Sequence, residues 1–169
     1  MSATEPPRKP ETPRAARLPR GIRNHNPGNI RRNPSVQWRG AAPADQQTDP
    51  EFVVFTAPEW GLRAIVRVLL SYDRHGVRTP AAIANRWAPA EGRRPDGTTY
   101  TQDSAAYARH LAAAIGCGLH DLLDLRNATI MHALVAAIVR HENGQQPYAR
   151  DLIDRALDLA GLALPMPPT

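Results

Sequence analysis

The sequence predicts a mostly helical α+β domain with a small β-hairpin or three-stranded sheet near its N-terminus. Residues 21–55 are short-patterned and broken by turn signals, of which Asn26-Pro27-Gly28-Asn29 is the strongest. From about residue 56 onward, apolar residues recur at three- and four-residue spacing, the period of amphipathic helices. Residues that start or stop helices fall between those stretches, at Thr79-Pro80, Gly76, Pro89, Asn127 and Gly144.

The elements follow in order. Residues 1–20 are rich in Pro and Arg and poor in apolar side chains, so they read as a disordered tail, leaving one domain over 21–165. Short strands are expected over 30–32, 36–39 and 52–55. Thr56-Ala57-Pro58-Glu59 combines an N-cap, a first-turn Pro and a capping-box Glu, and Leu62, Ile65, Val66 and Leu69 continue as a helix stopped by Gly76. Thr79-Pro80 opens a second helix with Ile83 and Trp87 on one face, ended by Pro89. Residues 88–101 are polar, contain Gly, Arg and Pro, and read as a long loop. A third helix is predicted over 104–115 with Tyr107, Leu111 and Ile115 aligned. Asn127 caps a fourth that runs to Glu142, and a fifth covers 149–160.

Composition narrows the function. The chain has 169 residues, enough for one domain with a real core. No apolar run is long enough to span a bilayer, and the N-terminal residues lack the apolar centre of a secretory signal. The expected site of synthesis is therefore the cytoplasm of the cell that makes it. Cys117 is alone, which excludes an internal disulfide framework; flanked by Gly116 and Gly118, it fits a small residue at a helix end better than an activated thiol. The net charge is +5, but Arg8, Lys9, Arg14, Arg17 and Arg20, opposed by Glu5 and Glu11, place +3 of it in the first twenty residues. Lys9 is the only lysine, so the arginine excess reflects codon composition better than a phosphate-binding face, and nucleic acid is not expected as the main partner. His25, His75, His110, His120, His132 and His141 have no metal-ligand spacing, and Gln145 in place of a second His excludes a zincin motif. No cofactor is expected.

One position breaks the helical pattern. Met131, Leu134, Val135 and Ile138 form the apolar stripe of the fourth helix, and the next position on that stripe is Glu142. A carboxyl in apolar surroundings holds its proton more tightly, because desolvation disfavours the charged form. The negative end of the helix dipole acts in the same direction. Such a group is suited to general-acid chemistry. The alternative is an exposed glutamate in a frayed last turn.

Several ordered blocks carry a family resemblance. Residues 21–31 (Gly-Ile-Arg-Asn-His-Asn-Pro-Gly-Asn-Ile-Arg), Trp38-Arg39-Gly40, Phe52-Val53-Val54-Phe55, Gly61-Leu62-Arg63-Ala64, Arg86-Trp87-Ala88-Pro89 and residues 140–148 resemble those of phage and prophage virion-associated proteins, labelled structural or lytic. The lytic protein of double-stranded RNA phages is a relative of these by description. The resemblance implies a lysozyme-like domain acting on peptidoglycan, made in a bacterial cytoplasm and released to the periplasm or cell wall or carried in the virion, with other virion proteins as further partners. In bacterial glucosaminidases and lytic transglycosylases, the catalytic Glu ends a helix and precedes a small residue and Gly, with a β-hairpin following. Glu142-Asn143-Gly144 and residues 26–31 with Trp38 and Gly40 are the similar pieces here, in reversed order, as in a circular permutation.

By this resemblance Glu142 is the general acid, Glu91 after the Trp-Ala-Pro block the alternative, and Glu51 or Asp49 a second carboxylate if two are used. Glu91 also reads as a solvated loop residue, and Asp49 and Glu51 as turn residues. A transglycosylase needs one protein carboxylate only, since the sugar's own hydroxyl completes the reaction. Sugar-binding candidates are Asn29, Arg31, Trp38, Gln145, Gln146 and Tyr148. Tyr72, Trp60, Trp87 and Tyr107 are assigned to core packing by their helical spacing. The implied function is glycan-strand cleavage as a muramidase, glucosaminidase or lytic transglycosylase. The other classes are an inactive virion structural protein and a peptidoglycan endopeptidase.

Overall fold

The computed structural model describes residues 17–94 and 96–162. Its elements are α1 (Arg20–Arg23), α2 (Pro58–Arg74), α3 (Pro80–Trp87), β1 (Glu91–Arg93), β2 (Thr99–Thr101), α4 (Ser104–Ile115), α5 (Ala128–Asn143) and α6 (Arg150–Leu159). The class is mostly α with a small antiparallel sheet, as the sequence pattern requires. Helix α5 runs through the middle. It packs against α1, α2, α4 and α6, and its Met131, Leu134, Val135 and Ile138 are fully buried. They meet Leu62, Ile65 and Leu69 of α2, Leu111 of α4 and Ile153 of α6 in one core. Each such fully buried aliphatic side chain contributes about 1.5–3 kcal/mol.

Local chemistry sets the helix ends. Asn127 accepts from the N–H groups of Thr129 (2.9 Å) and Ile130 (3.1 Å) at the start of α5. Thr79 caps α3 through Ala82 N–H, and Asp103 caps α4 through Ala106 N–H. The expected Thr56 cap is not used. Pro58 is the first residue of α2, the cap position is Ala57, and the Thr56 hydroxyl donates to Gly40 O instead. At the far end of α5, Gly144 takes φ +69°, the left-handed conformation that lets the chain leave the helix without a Cβ clash.

The β structure lies elsewhere than expected. Between residues 30 and 55 no regular strand forms; there are two isolated bridges, Arg31 with Phe52 and Ala41 with Phe55. Single backbone bonds between the facing segments remain, from Val53 N–H to Ile30 O (3.0 Å) and from Ala42 N–H to Val54 O (2.9 Å), and side-chain amides take several of the neighbouring backbone groups. Buried Asn26 donates to Ile30 O (2.9 Å) and Val53 O (2.8 Å) and accepts from Ile30 N–H. Gln47 donates to Ala42 O and Val54 O and accepts from Val54 N–H. The regular hairpin is β1–β2, inside the stretch read as a loop. It pairs Glu91 with Thr101 and Arg93 with Thr99 around a turn in which Asp96 accepts from Thr98 N–H.

Of the expected tail over residues 1–20, residues 1–16 lie outside the described residues. Arg20 opens α1 and is bound to Asp49 and Glu51, so the folded domain begins before Gly21. Residues 163–165 of the expected domain also lie outside the described residues.

Candidate active site

Glu142 sits in the last turn of α5, half-buried where the core opens. Two side chains hold its carboxyl group. Asn29 Nδ2 donates to Oε2 at 3.0 Å across 113 residues of sequence, and Tyr107 Oη donates to Oε1 at 3.2 Å. The N-terminal segment and the end of α5 therefore meet at this carboxylate.

The rest of the Glu-Asn-Gly turn builds that junction. Asn143 Nδ2 donates to Pro27 O and to Val139 O, both at 2.8 Å, and so ties the 24–29 loop to α5. Asn29 adopts φ +49°, a left-handed conformation that Asn tolerates better than most residues. On its other side the loop rests against α2, where the His25 carbonyl occupies the space a Cβ at Gly61 would need. The loop is thus fixed from two helices.

The carboxyl opens into a cleft of about 350 Å³. One border is the N-terminal segment, with Gly28, Asn29, Arg31 and Phe52. The other is α3 and the hairpin, with Trp87, Ala88, Arg94, Tyr100, Thr101 and Gln102. Glu142 is the single carboxylate among these lining residues.

Burial raises the Glu142 pKa above its ordinary value. The hydrogen bonds from Asn29 and Tyr107 pull it back, with a smaller pull from Trp87. Burial also pushes the Tyr107 phenol upward, and the Glu142 charge adds to this, so Tyr107 remains a donor. The His141 ring stacks on Tyr107 with centroids 3.7 Å apart and planes 5° from parallel. Burial, and then the nearby His110, lower the His141 pKa toward a neutral imidazole. Asn29 Oδ1 and Asn143 Oδ1 are both buried without a partner beside Gly21. With its amide turned over, Asn29 would accept from a protonated Glu142 instead of donating to an ionised one.

The other carboxylate candidates stand in different surroundings. Asp49 is buried, takes Arg20 Nε and Nη2 at 2.6 Å each, and accepts from Asn24 Nδ2 and the N–H groups of Glu51 and Phe52. The Arg20 guanidinium holds its pKa well below the usual carboxylate range. Glu51 lies between Arg20 (2.9 Å) and Arg31 (3.2 Å), and its pKa is lowered chiefly by Arg20. Neither lines the cleft. Glu91 is exposed at the start of β1 and contributes to a separate groove along the hairpin.

Among the sugar-contact candidates, Asn29 and Arg31 line the cleft. Trp38 does not. It packs beside Val53 and Phe55 at a second depression of about 600 Å³, with its indole N–H buried and unpartnered. Gln146 closes a local turn with Tyr148, through its Oε1 on Tyr148 N–H (2.6 Å) and its Nε2 on Tyr148 O (2.9 Å). Tyr148 packs on the main core, and Gln145 is exposed outside the cleft. Cys117 is half-buried against the core, where burial raises its thiol pKa. Sequence reasoning missed Phe52, Trp87, Tyr107 and the hairpin residues. Trp87 and Tyr107 pack on the core as expected, yet Tyr107 also gives its hydroxyl to Glu142 and Trp87 also lines the cleft. For the hairpin, the signal present was Asp96-Gly97 followed by Thr98-Thr99-Tyr100-Thr101, a turn before a β-prone run.

The fold and cleft define a small α+β domain with a desolvated carboxyl at the meeting point of its two halves. No family model matches the sequence. The chain is 32% identical over 142 residues to protein P5 of Pseudoalteromonas phage PM2, covering 82% of this chain and 80% of that protein. The chain therefore belongs to the family of that phage protein. Among the described residues, no helix is long and apolar enough to cross a membrane.

Proposed function

We propose that this protein is a phage-encoded enzyme that cleaves the glycan strand of peptidoglycan, with Glu142 as general acid. The observation that carries this reading is the desolvated Glu142 carboxyl, held by Asn29 and Tyr107 at the wall of an open cleft. A carboxyl whose proton affinity is raised by burial holds a proton that it can deliver to a glycosidic oxygen. The C–O bond then breaks with both electrons leaving on the departing sugar oxygen. Positive charge develops on the anomeric carbon of the remaining sugar.

The placement of the carboxylates favours the transglycosylase branch. A two-carboxylate hydrolase needs a second acidic group facing the scissile bond. Asp49 and Glu51 are bound to arginines and do not line the cleft. With one carboxylate, the ionised Glu142 takes the proton of the sugar's own hydroxyl as that oxygen attacks the anomeric carbon, closing an anhydro ring and restoring the acid. Trp87 supplies an aromatic face for a sugar ring, and Asn29, Thr101 and Gln102 supply polar groups.

The test is product analysis. Purified cell wall is digested with the protein and the soluble fragments are weighed by mass spectrometry. Fragments with an anhydro-sugar end are expected. Reducing ends would move the assignment to a hydrolase, and cut cross-links to an endopeptidase. No fragment at all would leave a virion structural protein as the reading.

A further inference from the structure

Two arginines line the cleft, and each lies on an aromatic ring of its own border. The Arg31 guanidinium is 5.3 Å from the Phe52 centroid, and that of Arg94 is 5.4 Å from the Tyr100 centroid. Phe52 is also covered by Arg20 at 4.4 Å, which fixes the ring on which Arg31 rests. Contacts of this kind hold a guanidinium in place without using its hydrogen-bond donors.

Among the described residues, most of those donors are unused. Arg31 gives only Nη1 to Glu51, and Glu51 is shared with Arg20. Arg94 gives only Nη1, to Thr98 Oγ1 (3.3 Å) and Thr99 O (3.4 Å). Among the described residues, Arg94 has no carboxylate within ion-pair distance. Asp96 on the same turn feels its charge, but its Oδ1 accepts from the Thr98 hydroxyl and N–H. With Glu142 protonated, no cleft-lining side chain carries a negative charge to offset these two.

A neutral glycan offers such a pair hydroxyl and acetamido acceptors but no charge to match theirs. Pre-positioned guanidiniums with free donors are suited to carboxylates, which they take in two-point hydrogen bonds. In peptidoglycan the carboxylates belong to the peptide stem carried by alternate sugars. We infer that the cleft selects glycan that still bears its peptide stems, with Arg31 and Arg94 binding stem carboxylates on either side of the bond that Glu142 protonates. This rests on the peptidoglycan reading above and narrows it to anionic, stem-bearing strands.

The experiment measures binding to the Glu142→Gln protein by calorimetry, so that strands stay intact. Three soluble probes are compared: disaccharide-peptide oligomers, the same oligomers with their carboxyls converted to amides, and N-acetylglucosamine oligomers, which have neither stem nor carboxyl. The first should bind at least about tenfold tighter than the other two, the size expected of a charged hydrogen-bonded contact. That preference should shrink as salt rises. It should fall toward unity in Arg31→Gln and Arg94→Gln backgrounds. Arg86→Gln removes the same charge from outside the cleft, where Arg86 lies over Tyr72, and should leave the preference in place. Equal binding of all three probes would overturn the stem inference and leave glycan cleavage standing. Equal binding of the first two, with the third weaker, would also overturn it, because bulk and not charge would then be recognised. If no probe binds and the unmutated protein releases nothing from cell wall, both readings fall together.

Discussion

Replacing Glu142 with Gln should make the protein more heat-stable at neutral pH and leave it nearly unchanged, or slightly weaker, in acid. In the folded protein Glu142 binds its proton more tightly than in the unfolded chain, because burial penalises the charge. The sign follows from linkage. Below the ordinary value of 4.5 both states are protonated, and the contribution of the buried acid is fully present. As pH rises from there through the raised folded pKa, the folded state must give up a proton it holds preferentially, and stability is lost. The slope is at most about 1.4 kcal/mol per pH unit for one proton. For a domain of this size, 1 kcal/mol moves the melting temperature by about 2–4 °C. The melting temperature of the Gln variant minus that of the unmutated protein should thus rise by roughly 3–5 °C per pH unit at the steepest point, starting near pH 4.5. The offset at low pH reflects hydrogen bonding. Gln keeps an acceptor for Tyr107 and needs Asn29 to turn its amide over, a change of about 1 kcal/mol. Differential scanning fluorimetry on both proteins from pH 4 to pH 8 measures the curve, and other titrating groups cancel in the difference. A flat difference, or one that falls with pH, would refute the desolvated-acid account and make Glu142 an ordinary surface carboxylate.

Three further outcomes follow from other parts of the structure. Asp49→Asn weakens the Arg20 pair and should cost about 2 kcal/mol near neutrality, reduced from the fully buried case because Arg20 is 38% exposed. The Asp49 pKa is depressed, so its contribution is present above the ordinary value of 3.8 and is lost as pH falls below it; chemical denaturation should show the two proteins converging in acid. Gly61→Ala forces a methyl group into the His25 carbonyl, which is backbone and cannot swing aside, and should cost about 3 kcal/mol with loss of Glu142 activity, seen by denaturant unfolding and turbidity assay. Tyr107→Phe removes a hydrogen bond that favours the Glu142 carboxylate, so the alkaline limb of the pH–rate profile should move upward while the fold persists; an unmoved limb would show that the phenol does not act on the acid.

The helices were legible because their signals are local. The Asn127 cap, the stripe from Met131 to Ile138 and the Gly144 stop each depend on neighbours within a turn or two. Glu142 was legible for the same reason, since its place on the stripe is set by the helix period. The 30–55 segment was not, because its order comes from side-chain amides. Asn26 reads as a turn residue in sequence and nothing local marks Gln47, yet their amides tie together backbone groups that lie far apart in the chain or on either side of a loop. The hairpin was missed for the opposite reason. Glu91-Gly92-Arg93 has no apolar alternation, and its pairing is fixed by the turn and by Thr99-Tyr100-Thr101 across from it. The contact between Asn29 and Glu142 was beyond local reading altogether, being set by how α2 and α5 clamp one loop.

The central claim is that the Glu142 carboxyl performs the chemistry, and the most direct measurement is the rate at which purified cell wall is solubilised by the protein and by its Glu142→Gln variant at equal concentration. Gln preserves size and most hydrogen bonding but has no proton to transfer. The account predicts a rate lower by a factor of about 10²–10⁴ in a variant that remains folded, equivalent to roughly 3–5 kcal/mol of lost transition-state stabilisation. Equal rates for the two proteins would contradict it.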